Sequence, residues 1–288
     1  MLFNNMPEQD PDEIEPIDID WLSFLKDKYA NLAKVYFSAS NISEINTKLT
    51  KRLRKHALTK QNYNTNIYDF LVRIKEFPDS LERIVRVGKG LISFLDGQVN
   101  EFITLTNNNP ELLRQLKEEM ADMFWENEAK YLDRVGELVS TVFLIKEMAP
   151  ARLHSFSHVY LPDGTYKGDP PDADLCFEQP GRKPVLIEIR NINLNYERIT
   201  SEEGLYNIIA GRITKKWAEK KFDSPGLNER YDKIWIQPFI WIYDQPTIER
   251  YTEALNSFTF ANTLPLLSLQ QAADSWGNIY YRCHRFTK

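Results

Sequence analysis

The chain has 288 residues, 42% of them hydrophobic and 27% charged, the proportions of one large or two smaller globular domains, which excludes a disulfide-stapled miniprotein, a collagen-like chain or a largely disordered one. No apolar run approaches the ~18 residues of a membrane span, the first twenty residues lack a signal peptide's basic start and apolar stretch, and Cys176 and Cys283 are too few and too isolated for a zinc knuckle or a disulfide framework. These features predict a cytoplasmic protein with no membrane contact, and its formal net charge of −5 is unevenly spread.

Residues 1–20 form an acidic leader, read as a flexible segment, with seven acids (Glu8, Asp10, Asp12, Glu13, Glu15, Asp18, Asp20) and no Lys or Arg. Taking those seven from the total of 41 leaves 34 acids against 36 Lys and Arg. The body is thus near neutral, and local patches decide what it binds. From Asp20 to Thr106 apolar residues recur at three- and four-residue spacings: Leu22, Leu25, Tyr29, Leu32 and Tyr36, then Leu81, Ile84, Val85, Leu91, Phe94 and Leu95 with one longer gap. The pattern predicts a helical domain over 21–127, with Asp20 and Asp79 as N-caps. Within it Lys48, Lys51, Arg52, Arg54, Lys55 and Lys60 fall in thirteen residues without an acid, on a helix whose Ile45, Leu49 and Leu53 face inward. Such a helix can track a phosphate backbone. A solvated basic face, or a partner for the acidic leader, is an equal alternative. Gly88-Lys89-Gly90 lies inside a helical pattern with no strand before it, so it is not a phosphate loop. Asn109 and Pro110 open the next helix, which breaks near residues 126–128, runs on to Met148 and stops at Pro150.

After Pro150 the period changes, and residues 128–288 read as an α/β domain. Leu153–Leu161, Ala173–Phe177 and Val185–Arg190 are strands, separated by turns at Pro162-Asp163-Gly164 and Pro180-Gly181. A helix from Ser201 to Phe222 opens with a Thr200/Glu203 capping box and ends at Pro225-Gly226. Lys233–Tyr243 is a long strand that Pro238 bends or places at an edge. A helix over Pro246–Ser257, a Leu-rich segment without a clear period and a closing strand Asn278–Arg285 complete the chain. His154 and His158, four apart on a strand, lie roughly 13 Å apart and cannot share an ion. No Gly-x-Ser-x-Gly elbow supports Ser-His-Asp hydrolysis.

The chemistry concentrates in PDADLCFEQPGRKPVLIEIRN, residues Pro171 to Asn191. Asp172 and Asp174 start one strand, Glu188 and Arg190 end the next, and alternation puts each pair on one face. If the strands pair, Asp174 and Glu188 come close enough to bind one hard cation, Mg²⁺ or Mn²⁺, which offsets the repulsion between them. Solvated strand-end acids and a Glu188–Arg190 ion pair are the alternative. Against it, Glu188 follows the apolar run Val185 to Ile187, where an unpartnered charge is expensive.

The stretch ADLCFEQPGRKPVLIEIR resembles the core motif of the PD-(D/E)XK nuclease superfamily, in which an acid on one strand is followed by Glu-x-Lys on the next. The order helix, three strands, helix, strand over Ala129–Tyr243 is similar to that family's common core. The resemblance implies a restriction-endonuclease-like mixed β-sheet flanked by helices, and a metal-dependent nuclease cutting DNA ahead of RNA. It makes Asp174 and Glu188 the metal ligands, with Asp172 in reserve, and Glu137 on the preceding helix an added catalytic acid. It also places Arg212, Lys215 and Lys216 near the nucleic acid. For Glu137 and for these three bases an exposed helix charge is the alternative. Arg190 stands where the family has Lys; because Arg keeps its proton, Arg190 is read as a phosphate clamp, and Lys183, Lys215 or Lys216 as candidates for the vacated place. An inactive binding or assembly module of the same fold is the competing expectation. The helical domain would hold substrate, or form a homo-oligomer or bind a protein partner.

Overall fold

A computed structural model describes residues 15–59, 66–126, 128–160 and 172–287. The start of the leader, Lys60 and the turn expected at Pro162-Asp163-Gly164 lie outside the described residues. None of the described helices is long and apolar enough to cross a membrane. The described chain divides into two compact units, one from Met1–Asn100 and Lys117–Leu132, the other from Glu101–Leu116 and Asp133–Lys288.

The first unit is helical: α1 Trp21–Lys26, α2 Ala30–Tyr36, α3 Ala39–Thr59, α4 Ile67–Glu76, most of α5 Arg83–Leu105 and the later part of α6 Pro110–Trp125. Asp20 caps α1 as expected, accepting from the Ser23 N–H at 3.1 Å. The N-cap of α2 is Tyr29, which has no capping side chain, and Asp96 on α5 takes the Asn31 and Leu32 N–H groups instead, each at 2.9 Å. Helix α5 begins at Arg83 rather than at Asp79; Ser80 Oγ accepts from the Glu82 N–H, and Leu81 is 79% exposed instead of joining the apolar stripe. Trp21, Phe37, Tyr68 and Phe124 form the ring-packed core. A Cβ on Gly88 would stand 2.9 Å from the Phe70 ring, so this glycine serves a close helix approach rather than a phosphate.

The second unit is α/β. Helix α7 Glu128–Glu147 leads into strands β1 Arg152–Tyr160, β2 Asp172–Glu178 and β3 Val185–Ile192, then α8 Glu202–Glu219, α9 Pro225–Arg230, β4 Lys233–Ile242, α10 Gln245–Ser257, β5 Leu267–Ala273 and β6 Ile279–Arg285. The six strands lie in chain order. β1, β2 and β3 pair antiparallel, β3, β4 and β5 parallel through helical crossovers, and β6 returns antiparallel. The Leu-rich segment is thus a parallel strand, β5. Glu101–Leu116 joins this unit ahead of the junction expected near residue 127, because Phe102 packs on Phe156 at 5.4 Å and Gln115 accepts the Phe156 N–H at 2.8 Å.

Leu186 and Ile192 of β3, even-numbered like Ile236, Ile240 and Ile242 of β4, form one core with Leu205, Ile209 and Ile213 of α8 and Tyr251 and Leu255 of α10. Helix α7 covers the opposite face, where a Cβ on Gly136 would meet Asn191 Oδ1 at 2.0 Å and Phe239 at 2.9 Å.

Three local expectations are corrected. Ser201, in extended conformation, caps α8 by accepting the Gly204 N–H at 3.0 Å, so Thr200 and Glu203 form no capping box. Pro225 does not end that helix but opens α9, its missing N–H costing nothing at a helix start. Pro238 sits in an interior strand. Ile236 bonds Asn262 and Leu264, the ladder to β5 resumes at Phe239, and Pro238 falls between them. The buried Gln237 amide fills that gap, donating to the Pro238 and Pro265 carbonyls at 2.8 and 2.9 Å.

Candidate functional site

The hairpin of β2 and β3 builds the site. Its ladder pairs Leu175 with Ile187, and one further step in the same register sets Asp174 opposite Glu188. There the strands part, because Asp174 Oδ2, not a β2 carbonyl, accepts the Ile189 N–H at 2.6 Å. Gly181, with φ of 68°, makes the tight turn that fixes this register. Glu188 is 1% exposed, and its Oε2 has no hydrogen-bond partner among the described residues.

Helix α8 supplies the opposite charge. Leu205, Ile209 and Ile213 form its buried stripe, and the same helical spacing continues to Lys216 and Lys220. Lys216 Nζ lies 2.6 Å from Glu188 Oε1. Lys220 Nζ lies 3.4 Å from the same oxygen and 2.5 Å from Asp172 Oδ1, and also donates to the Asp172 carbonyl. Lys220 was not among the residues expected at the site. Its signal was in the sequence: it stands four residues beyond Lys216 on a stripe whose first members are all apolar.

Burial, and after it the neighbouring Asp174 charge, push the Glu188 carboxyl up to about 8 against the pull of both lysines. Asp174 is also raised, by burial, with the Ile189 hydrogen bond opposing. Burial works against the Lys220 charge, but Glu188 and Asp172 outweigh it and its pKa is raised. Both carboxyls are thus held toward the protonated form in the absence of a cation.

Arg190 follows on the Glu188 face, and its Nε is buried with no partner among the described residues. Of the other bases the resemblance pointed to, Arg212 is exposed, Lys215 pairs with exposed Glu219 at 3.6 Å, and Lys183 lies exposed on the hairpin turn. Glu137 accepts from Arg134 at 3.1 Å and sits on α7, which covers the sheet face that Glu188 does not use. Among the described residues no group of three or more His, Cys, Asp or Glu side chains is placed to hold a metal ion. His154 pairs with Glu178 at 3.0 Å.

On α3, Ile45 and Leu49 are buried as expected. Lys48 pairs with Glu44 at 2.6 Å and lies over the Trp125 ring, and Arg52 pairs with Asp69 at 3.1 Å. Lys51 and Arg54 line an open cleft of about 820 Å³ together with Ile17, Asp18 and Asp20. The described end of the leader is tied to this helix: Thr50 Oγ1 accepts the Ile17 N–H at 2.8 Å, and Asn46 Nδ2 donates to the Ile19 carbonyl at 3.1 Å. These contacts favour α3 as a partner of the leader.

The donors at the acid pair suit a hard cation of the magnesium type, which binds through one or two carboxylates and leaves its other positions to water and substrate oxygens. Glu188 Oε2 is a buried acceptor lacking a donor, and Asp174 lies across from it. Asp172, held by Lys220, is not part of that set. Comparison with protein families, with curated proteins and with solved structures gives no match to the chain.

Proposed function

We propose that the chain is a metal-dependent phosphodiesterase of restriction-endonuclease-like fold that hydrolyses nucleic acid, DNA ahead of RNA. The observation that carries the reading is the buried Asp174–Glu188 pair, with a carboxylate oxygen lacking a partner, beside two lysines brought in by α8. Asp174 and Glu188 would hold Mg²⁺ or Mn²⁺, which supplies Lewis-acid activation of water and offsets phosphate charge. Lys216 takes the place that Arg190 leaves vacant in the motif, since a lysine can exchange a proton and an arginine cannot. Arg190, two residues beyond Glu188, clamps the phosphate through its planar fork of donors. Lys220 holds Asp172 and so fixes the end of α8 against β2. The test is cleavage of DNA and RNA by purified protein with Mg²⁺ or Mn²⁺. Activity that Glu188→Gln abolishes supports the reading, and activity that survives the substitution points elsewhere.

The competing reading, an inactive binding or assembly module, draws on the same groups: Lys216 and Lys220 already pair with Glu188 and Asp172 without any metal. It predicts nucleic-acid or protein binding without cleavage.

A further inference from the structure

Glu188 offers its two oxygens unequally. Oε1 is taken by Lys216 at 2.6 Å and approached by Lys220 at 3.4 Å, whereas Oε2 is buried with no partner among the described residues. Asp174 commits one oxygen to the Ile189 N–H, and Asp172 is drawn to Lys220 at 2.5 Å. A second hard cation would need a second set of carboxylate oxygens, and those oxygens already face ammonium groups.

We infer that Lys216 and Lys220 stand in for a second cation, so that the site takes one divalent ion per chain, on Glu188 Oε2 and Asp174, and the two ammonium groups weaken its hold by direct repulsion. The inference rests on the metal site proposed above and not on cleavage. Even at the dielectric constant of water, a unit charge ~5 Å from a divalent ion changes its affinity by about tenfold.

The experiment is a titration of the full chain with Mn²⁺ at one fixed near-neutral pH, with free ion read by electron paramagnetic resonance. One equivalent is expected, lost in Glu188→Gln and bound at least ~tenfold tighter in Lys216→Met. Lys216→Gln, which keeps part of the stem and drops the charge, answers the same question if the methionine variant does not fold. Binding seen only in the lysine variants also supports the inference. Two equivalents in the wild type, or an affinity unchanged or weaker in Lys216→Met and Lys216→Gln, overturns it. No Mn²⁺ binding in any form, or binding indifferent to Glu188→Gln, removes the metal site and the inference together. One tightened equivalent without cleavage of any nucleic acid leaves the inference standing and removes the phosphodiesterase reading.

Discussion

Lys216 reaches Glu188 Oε1 at 2.6 Å because two periodicities face each other. Glu188 lies on the even-numbered side of β3 that α8 covers, and Lys216 extends the Leu205, Ile209, Ile213 stripe that does the covering. If this ammonium does the work of the motif lysine, Lys216→Ala should lower kcat on a DNA oligonucleotide by ~10²-fold or more under single-turnover conditions. A fall of less than threefold would take Lys216 out of the machinery.

The raised carboxyls make a prediction about stability in the absence of metal. The native chain holds the Glu188 proton up to about 8, while the unfolded chain releases it near the ordinary value of 4.5. The contribution of this group is therefore fully present below about 4.5 and is lost as pH rises through about 8. Asp174 shifts in the same direction. Glu188→Gln cannot titrate, so its stability relative to wild type should rise by ~1–3 kcal/mol as pH goes from about 4.5 to above about 8. Urea unfolding of metal-free protein across that range checks it; a Gln variant that loses stability most at high pH would contradict the shift.

Much of this arrangement was legible in the sequence, and the parts that were not have physical reasons. The hairpin was readable because Pro180-Gly181 fixes the turn and the flanking strands carry strong β patterns, which together set the Asp174 and Glu188 register. Lys220 was not, because charge on a helix is usually solvent-facing, and only continuation of an apolar stripe reveals a lysine that turns inward. Pro238 misled for a comparable reason: an interior strand tolerates it only where a neighbour has a gap, and that gap depends on β5, the strand whose Leu-rich sequence has no clear period. The cap of α8 moved by one residue, from Thr200 to Ser201, since adjacent hydroxyls offer the same chemistry and backbone geometry decides between them. Glu137 lies on a helix where the resemblance expects an acid, but sequence alone does not say which face of the sheet that helix covers.

Gly136 is a point of close approach between α7 and the sheet. A Cβ there would stand 2.0 Å from Asn191 Oδ1, and Asn191 is held in place by its own Nδ2, which donates to the Asp133 carbonyl at 2.9 Å. The side chain cannot swing away without losing that bond, and Phe239 blocks the remaining space at 2.9 Å. Gly136→Ala should destabilise the chain by ~1–3 kcal/mol, with a lower unfolding temperature by calorimetry, even though alanine is the better helix former. An unchanged or higher unfolding temperature would show that α7 can lift from the sheet at no cost.

The leader gives the last test. Asn46 donates to the Ile19 carbonyl of the leader while accepting from the buried Trp21 Nε1 at 2.7 Å at the start of α1, and Thr50 takes the Ile17 N–H. Asp18 and Asp20 line the same cleft as Lys51 and Arg54 and lower the positive potential of α3 there. Removing residues 1–18 should therefore tighten binding of a short DNA duplex at low salt by ~tenfold and steepen its salt dependence, because phosphates gain the lysine and arginine that the acids had screened. Lys51→Ala in the shortened chain should take back part of the gain. Affinity that stays level after the truncation would mean that the leader is only a structural strap on α3, and that nucleic acid, where it binds, does so elsewhere.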